Sequence, residues 1–259
     1  MLVSLNDICH LMEEIAPLNL AEDWDNVGLM LGRRSSVVKR ILLALDMTEA
    51  TVNQAIEHKV DLIITHHPAI FRKLNCVTDN AWQQELLLRL AENGIAIYSA
   101  HTNLDCVQNG VNDALAHKIQ LEDVDILDNT NGLGRVGFVE ECTLQDFAGF
   151  VKKQLKADYV TVGDAGKPVH KVAICGGAGS DLIALALRLG ADTLVTGDVK
   201  YHSAQEAVFS GMNIIDAGHQ PTELPILEEL ADRLSLRFTE RSWNVNIMVA
   251  HEELLLKSI

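Results

Sequence analysis

Basic residues are scarce in this sequence. Lysine and arginine together number 21 against 36 aspartates and glutamates, for a formal net charge of -15 and a sequence pI near 5.0. Nucleic-acid binding draws much of its affinity from clustered cations that meet phosphates. No basic stripe is visible, so that class of partner is disfavoured. The acidity leaves an anionic substrate open, because bound metal can invert a local field. Cysteine is sparse as well. Cys9, Cys76, Cys106, Cys142 and Cys175 are scattered, odd in number and form no C-x-x-C pair. That spacing argues against a disulfide framework or a zinc ribbon and fits a reducing compartment. No apolar run approaches the roughly 20 residues that span a bilayer. Met1 to Asn6 contain no basic segment leading into a long apolar one. A cytoplasmic protein without membrane spans is expected.

What is present is enough apolar material for a core: 48% of 259 residues, sufficient for one large domain or two smaller ones. Apolar runs at 40–45, 61–65, 95–99, 171–175, 193–196 and 213–216 read as buried strands. They alternate with helical patterns at 4–15, 48–59, 81–92, 109–117, 144–155, 181–189 and 203–209, and with one that starts near Pro221 and runs to 234. The fold class this implies is α/β, with mostly parallel sheets covered by helices. Val27 to Leu31 adds a short strand, 236–249 reads as strand-rich, and 252–257 as a short tail. Residues 121–135 are acidic, then rich in Asn and Gly, and a domain boundary is placed there. The halves are 1–124 and 125–259, and terminal strands may cross between them. Gly132 to Gly137 matches G-x-G-x-x-G, but without the strand-to-helix context of a dinucleotide fingerprint. Gly176 to Ser180 reads as a tight turn into a helix, whose amides could alternatively hold an anion.

The most chemically loaded stretch is Asp61-Leu-Ile-Ile-Thr-His-His-Pro68. An apolar strand delivers two adjacent histidines to its C-terminal end, and Pro68 stops further pairing. Adjacent residues of an extended chain face opposite sides, so one metal rarely takes both; two neighbouring metals could take one each, or one ring could pack while the other is solvated. Sliding the chain by 131 residues lays Arg40-Ile-Leu-Leu-Ala on Lys171-Val-Ala-Ile-Cys, Asp61 on Asp192, and Thr65 on Thr196. At an offset of 118, His101-x-x-x-Asp105 lies on His219-x-x-x-Glu223. Two related α/β halves are inferred, each lining a shared cleft at its strand ends, where such folds bind ligands. The strand ends carry His66, His67, His101, Asp105, Asp198, His202, His219 and Glu223. Mixed imidazole and carboxylate donors suit Zn, Fe, Mn, Co or Ni and disfavour a structural thiolate site. The acidic loop Ala21 to Asn26 reads as a polar loop with a packed Trp24, or alternatively as the rim of the site.

These residues carry a resemblance. Asp-Asn-Val-Gly-Leu at 25–29, Ile-Thr-His-His-Pro at 64–68, Ala-His-Thr-Asn-Leu-Asp at 100–105, Gly-Leu-Gly-Arg-Val-Gly at 132–137, Thr-Gly-Asp-Val-Lys-Tyr-His at 196–202 and Gly-His-x-x-x-Glu at 218–223 together resemble the NGG-interacting-factor-three-like family, also called GTP cyclohydrolase I type 2 homologues. The chain looks like the short form, without the inserted domain of longer members. The resemblance implies two divalent metal ions held by His66, His67, Asp105, His219 and Glu223, with Glu223 as the bridge. It implies supporting or proton-transfer roles for His101, Asp198 and His202, and a cleft lined by Asn26 and the 132–137 segment. It also implies a toroidal homohexamer, a trimer of dimers. The leading expectation is a metal-dependent hydrolase of a small, nucleotide-like substrate. The alternative is a non-catalytic metal-binding or partner-binding ring protein. A DNA-associated ring is disfavoured by the net charge.

Overall fold

The computed structural model describes residues 2–256. In chain order the first elements are helix α1 (Leu5–Ile15), strands β1 (Gly28–Leu31) and β2 (Arg40–Ala44), helix α2 (Glu49–Glu57), strand β3 (Leu62–Thr65), helix α3 (Trp82–Glu92), strand β4 (Ala96–Ser99) and the short helix α4 (Thr102–Cys106). Next come α5 (Val111–Lys118), β5 (Glu122–Asp128), β6 (Leu133–Cys142), α6 (Leu144–Gln154), β7 (Thr161–Gly163), β8 (Val169–Ala178) and α7 (Ile183–Arg188). The last are β9 (Thr193–Gly197), α8 (Tyr201–Phe209), β10 (Asn213–Asp216), α9 (His219–Glu223), α10 (Pro225–Glu240) and β11 (Asn246–Val249). They form two compact units. The first is built from residues up to Leu104 together with Leu227–Glu253, the second from Asp105–Ile226 and the residues from Leu254.

The first unit holds a sheet in the order β1-β4-β3-β2-β11, antiparallel only at β1-β4. Register sets Ala44 beside Thr65 and Thr65 beside Ser99, so these strands end level. Parallel strands covered on both faces need apolar residues at every position, and β2 and β3 supply them. Leu42, Ala44, Ile63 and Ile97 pack with Val52 and Ala55 of α2 and Leu86, Leu87 and Leu90 of α3. The alternate residues Ile41, Leu43, Leu62 and Ile64 are equally buried and face the other way. Each such side chain contributes roughly 1.5–3 kcal/mol by leaving water. The start of α1 is fixed by a capping box. Ser4 Oγ accepts the Asp7 amide, and the Asp7 carboxylate accepts the Ser4 amide at 2.8 Å.

The second unit holds a mixed sheet, β5-β6-β8-β9-β10-β7, parallel only across β8-β9-β10. On one face Val172, Ile174, Val195 and Ile215 pack with Leu115 and Ile119 of α5 and Phe147 and Val151 of α6. On the other, Ala173, Leu194 and Ile214 pack with Ile183 and Ala186 of α7 and Ala207 of α8.

Four expectations change. The stretch 121–135, to which the sequence pattern assigns no strand, pairs as one: β5 lies antiparallel to β6 through the turn 129–132. Carboxylates suit β5 because it is an edge strand. Gly176 to Ala178 continue β8, so the turn begins only at Gly179. Leu236 to Glu240 are helical, because Leu230, Leu234 and Phe238 recur every fourth residue and bury one face of α10. The third strands match at an offset of 117, not 118: Leu62 pairs with Ala96 and Thr193 with Asn213. The histidine and carboxylate beyond the strand, His101 with His219 and Asp105 with Glu223, lie at 118. The extra residue is Gly218, at φ 87°. The tail expected at 252–257 lies partly outside the described residues.

Candidate metal centre

In the first unit, β3 runs into His66, His67 and Pro68. Pairing persists for two residues past the strand, with the His66 amide on the Ala44 carbonyl (3.1 Å) and the His67 amide on that of Leu45 (2.9 Å). Thr65 Oγ1 donates to the His67 carbonyl (2.8 Å) and lies 2.8 Å from Ser99 Oγ, which also accepts the Ala69 amide (3.2 Å). These bonds hold the turn. The adjacent rings are not kept apart as strand alternation implies: past the end of β3 they converge, with centroids 5.0 Å apart. His101, which follows β4, joins them at 5.2 and 5.6 Å. One ligand atom from each of the three histidines lies within 4.8 Å of the others. His66 is buried and the other two partly so.

Each ring is fixed by an acceptor at Nδ1. The partners are the Ala100 carbonyl for His66, Asp46 Oδ1 for His67 and Asp25 Oδ1 for His101, each at 2.9 Å. A carbonyl or carboxylate oxygen only accepts, so Nδ1 carries the proton and the lone pair of the neutral ring sits on Nε2. Asp25 Oδ2 also accepts the Thr102 amide (3.1 Å) and hydroxyl (2.6 Å). Burial pushes the Asp25 carboxyl up, yet the bonds from His101 and Thr102 outweigh it and bring the group down to about 2. Glu252 accepts the Leu45 amide (2.5 Å). Burial, against the pull of that amide, raises its carboxyl to about 7.

In the second unit, His219 and Glu223 stand one turn apart on α9. His219 Nδ1 lies 2.8 Å from Asp198 Oδ2, and its Nε2 lies 3.1 Å from Glu223 Oε1. Carboxylate oxygens thus lie against both ring nitrogens, and Glu223 is 4% exposed. Asp198 adopts φ 53° to make its bond, a left-handed conformation that aspartate tolerates better than most residues. Gly177 at φ 65° lies against the pair: a Cβ there would collide with Glu223 Oε1 and stand 3.2 Å from the His219 ring. Its amide donates to Thr222 Oγ1 (2.9 Å), and Thr222 turns its own proton to the His219 carbonyl (2.7 Å). Asp105 is partly buried on α4, and its backbone carbonyl accepts Asn112 Nδ2 (3.0 Å). Burial, reinforced by the Asp105 and Glu223 charges, pushes the Cys175 thiol well above its ordinary range.

Of the residues singled out from the sequence, His66, His67 and His101 thus converge in one unit, and His219, Glu223 and Asp198 in the other. His202 is exposed on α8 with its ring edge-on to Tyr201 at 5.3 Å, outside either group. The orienting carboxylates Asp46 and Asp25 escaped the sequence reading as partners of histidine. Asp46 was within reach: Ala44 pairs with Thr65, so two residues on, Asp46 falls beside His67. Trp24, expected to pack, is 59% exposed. The segment 132–137 lies in the turn and on β6, and holds no strand-to-helix phosphate loop. Imidazoles presenting Nε2 and carboxylates beside them fit a borderline first-row metal.

An α/β protein of two such halves, carrying histidine and carboxylate donors at its strand ends, defines a class that the comparisons narrow to a family. The family model Duf34/NIF3 (NGG1p interacting factor 3) matches residues 3–253, and the chain belongs to that family. It is 38% identical over 242 residues to a Clostridium perfringens protein named GTP cyclohydrolase 1 type 2 homolog, with 91% of this chain and 92% of the relative covered. A Clostridium acetobutylicum protein of the same name is 35% identical, with 98% of both chains covered. Among solved structures, a Staphylococcus aureus hypothetical protein superposes with a TM-score of 0.94 at 29% identity, covering 100% of both chains.

Proposed function

We propose that this chain binds two divalent first-row metal ions, which His66, His67, Asp105, His219 and Glu223 would hold. We further propose that it hydrolyses a small, nucleotide-like substrate at a ring amide or related bond. One observation carries the reading: four histidines each hold Nδ1 against a fixed oxygen acceptor, and His219 turns its Nε2 to the Glu223 carboxylate, itself a metal-type donor. Solvated or packing histidines have no need of that uniform arrangement, whereas metal-binding histidines show it as a rule. A metal pair, when bound, supplies water of lowered pKa and polarises the scissile group. The protein's own part is orientation and proton handling. Asp46 and Asp198 hold the His67 and His219 rings. His101, tied to Asp25, is the residue within this reading that moves a proton at Nε2, and His202 is the second candidate. The relatives' shared name supports the cyclohydrolase direction, and a homohexamer is the assembly that the family resemblance implies.

Metal analysis of protein purified without chelator or histidine tag tests the reading. About two metals per chain are expected in the wild type, as for two-metal hydrolases, with a sharp fall in both His67→Ala and Glu223→Ala. A wild type that carries no stoichiometric metal and takes none up on addition leaves the hydrolase without its nucleophile. Metal binding without turnover of GTP, cyclic amides or phosphoesters favours the non-catalytic metal-binding role instead.

A further inference from the structure

Trp24, which stands edge-on to His101, and Phe71 beside it are not core residues. Trp24 is 59% exposed and Phe71 is 46% exposed. Their rings nonetheless meet edge-on at 6.0 Å, and Trp24 stands 6.1 Å from the His101 ring at 74°. Both sides of the tryptophan are anchored: before it, the Glu22 amide donates to Thr102 Oγ1 (3.0 Å). Asp25, whose side chain has no exposed surface, is tied to His101 and Thr102. Asn26 donates through Nδ2 to the carbonyl of Ile70, the residue before Phe71. The loop thus presents a large π surface to solvent in a held orientation. Exposing an indole forgoes much of the stabilisation that its burial would supply, so a position this well anchored calls for a ligand. A held aromatic ring loses little conformational entropy on binding, and stacking accepts any planar base.

We propose that Trp24, flanked by Phe71, is a stacking platform that receives a planar heteroaromatic ring of the nucleobase type and holds it beside His101. This rests on the hydrolase reading and names the residues that would receive the ring of its substrate. Trp24 is a positioning residue: it presents no group that titrates or bonds to reacting atoms.

Calorimetric titration of the full chain with guanosine, with ribose as the ring-less control and metal content measured on every sample, tests the platform. Guanosine binds wild type while ribose does not. Trp24→Phe stays within about threefold of wild type, and Trp24→Ala weakens binding roughly tenfold or more at unchanged metal content. Phe71→Ala, a second exposed site whose loss leaves the core intact, weakens it by about threefold or more. The proposal is overturned if guanosine fails to bind wild type at millimolar concentration, if Trp24→Ala binds as wild type does, or if Trp24→Ala loses metal along with the nucleoside. A wild type without metal that still binds guanosine through Trp24 upholds the platform and removes the metal reading alone.

Discussion

The segment β2-α2-β3 of the first unit and the segment β8-α7-β9 of the second are built alike and finish differently. Asp61 Oδ2 accepts the amides of Lys39 and Arg40, both at 2.8 Å. Asp192 Oδ2 accepts those of His170 and Lys171, at 3.0 and 2.7 Å. Each aspartate gives its own amide to a carbonyl near the start of the first strand, that of Arg40 (3.0 Å) or Lys171 (2.9 Å). Each helix is left through a left-handed residue, Lys59 at φ 52° or Gly190 at φ 77°. The residues that follow, Val60 and Ala191, return their amides to Ala55 and Ala186. The offset of 131 is therefore a repeat of hydrogen bonds as well as of apolar strands. Past Thr65 and Thr196 the chemistry separates. The first half continues as His66-His67, the second as Gly197-Asp198. The aspartates that lock strand starts serve backbone amides and accept no substitute lightly. The strand ends stay in the ladder through backbone groups alone, so their side chains are free to differ.

The sharpest break in the comparison is expected at glycine. Gly177 and Gly94 share a left-handed φ, 65° and 68°, but a Cβ at 177 meets Glu223 and His219 while one at 94 meets nothing within 4 Å. Gly177→Ala should cost about 2–4 kcal/mol and lower metal affinity, whereas Gly94→Ala should cost about 1 kcal/mol from backbone strain alone. Urea denaturation and metal titration read both, and equal costs would remove the special role of Gly177. Next in size, Asp61→Ala and Asp192→Ala each strand two backbone amides and should each cost about 1–3 kcal/mol, agreeing within about 0.5 kcal/mol. A clear inequality would mean that the two anchors are alike only in geometry. The smallest effect is one of pH. The Asp25 carboxyl ordinarily titrates at 3.8 and is held at about 2 in the fold. A depressed acid adds stability above its unfolded value and loses it as pH falls through the folded one. Wild type should therefore lose about 2 kcal/mol between pH 4 and pH 2 that Asp25→Asn does not lose. Parallel melts of the two proteins at pH 4 and pH 2 check this, and identical slopes would refute it.

The strands bearing Ile41 to Leu45, Ile63, Ile97, Ala173, Leu194 and Ile214 were legible because they are buried on both faces and hence apolar throughout. The donors were legible because histidines and carboxylates cluster just after those strands. Other parts were hidden for physical reasons. Edge strand β5 has only Leu127 fully buried and is otherwise dressed in charges, so its sequence reads as a linker. The turn from β8 was misplaced because Gly176 and Gly177 imitate turn residues while serving a close approach to α9. The Asp25–His101 pair spans 76 positions, and no local pattern encodes a partner that distant. Trp24 was misread because large aromatics are usually buried.

Gly218 also bears on ancestry. If the two halves descend from one duplicated segment, an insertion or deletion of a single codon after the third strand separates them. Placed inside the strand, it would have inverted every later side chain, since a one-residue slip exchanges the two faces. Placed after the last ladder bond, where a glycine accepts φ 87°, it re-aimed one histidine and left β10 in register with β9. In such a fold, chain length beyond the strand ends can drift under selection for ligand geometry, while length within the strands is held constant by the core.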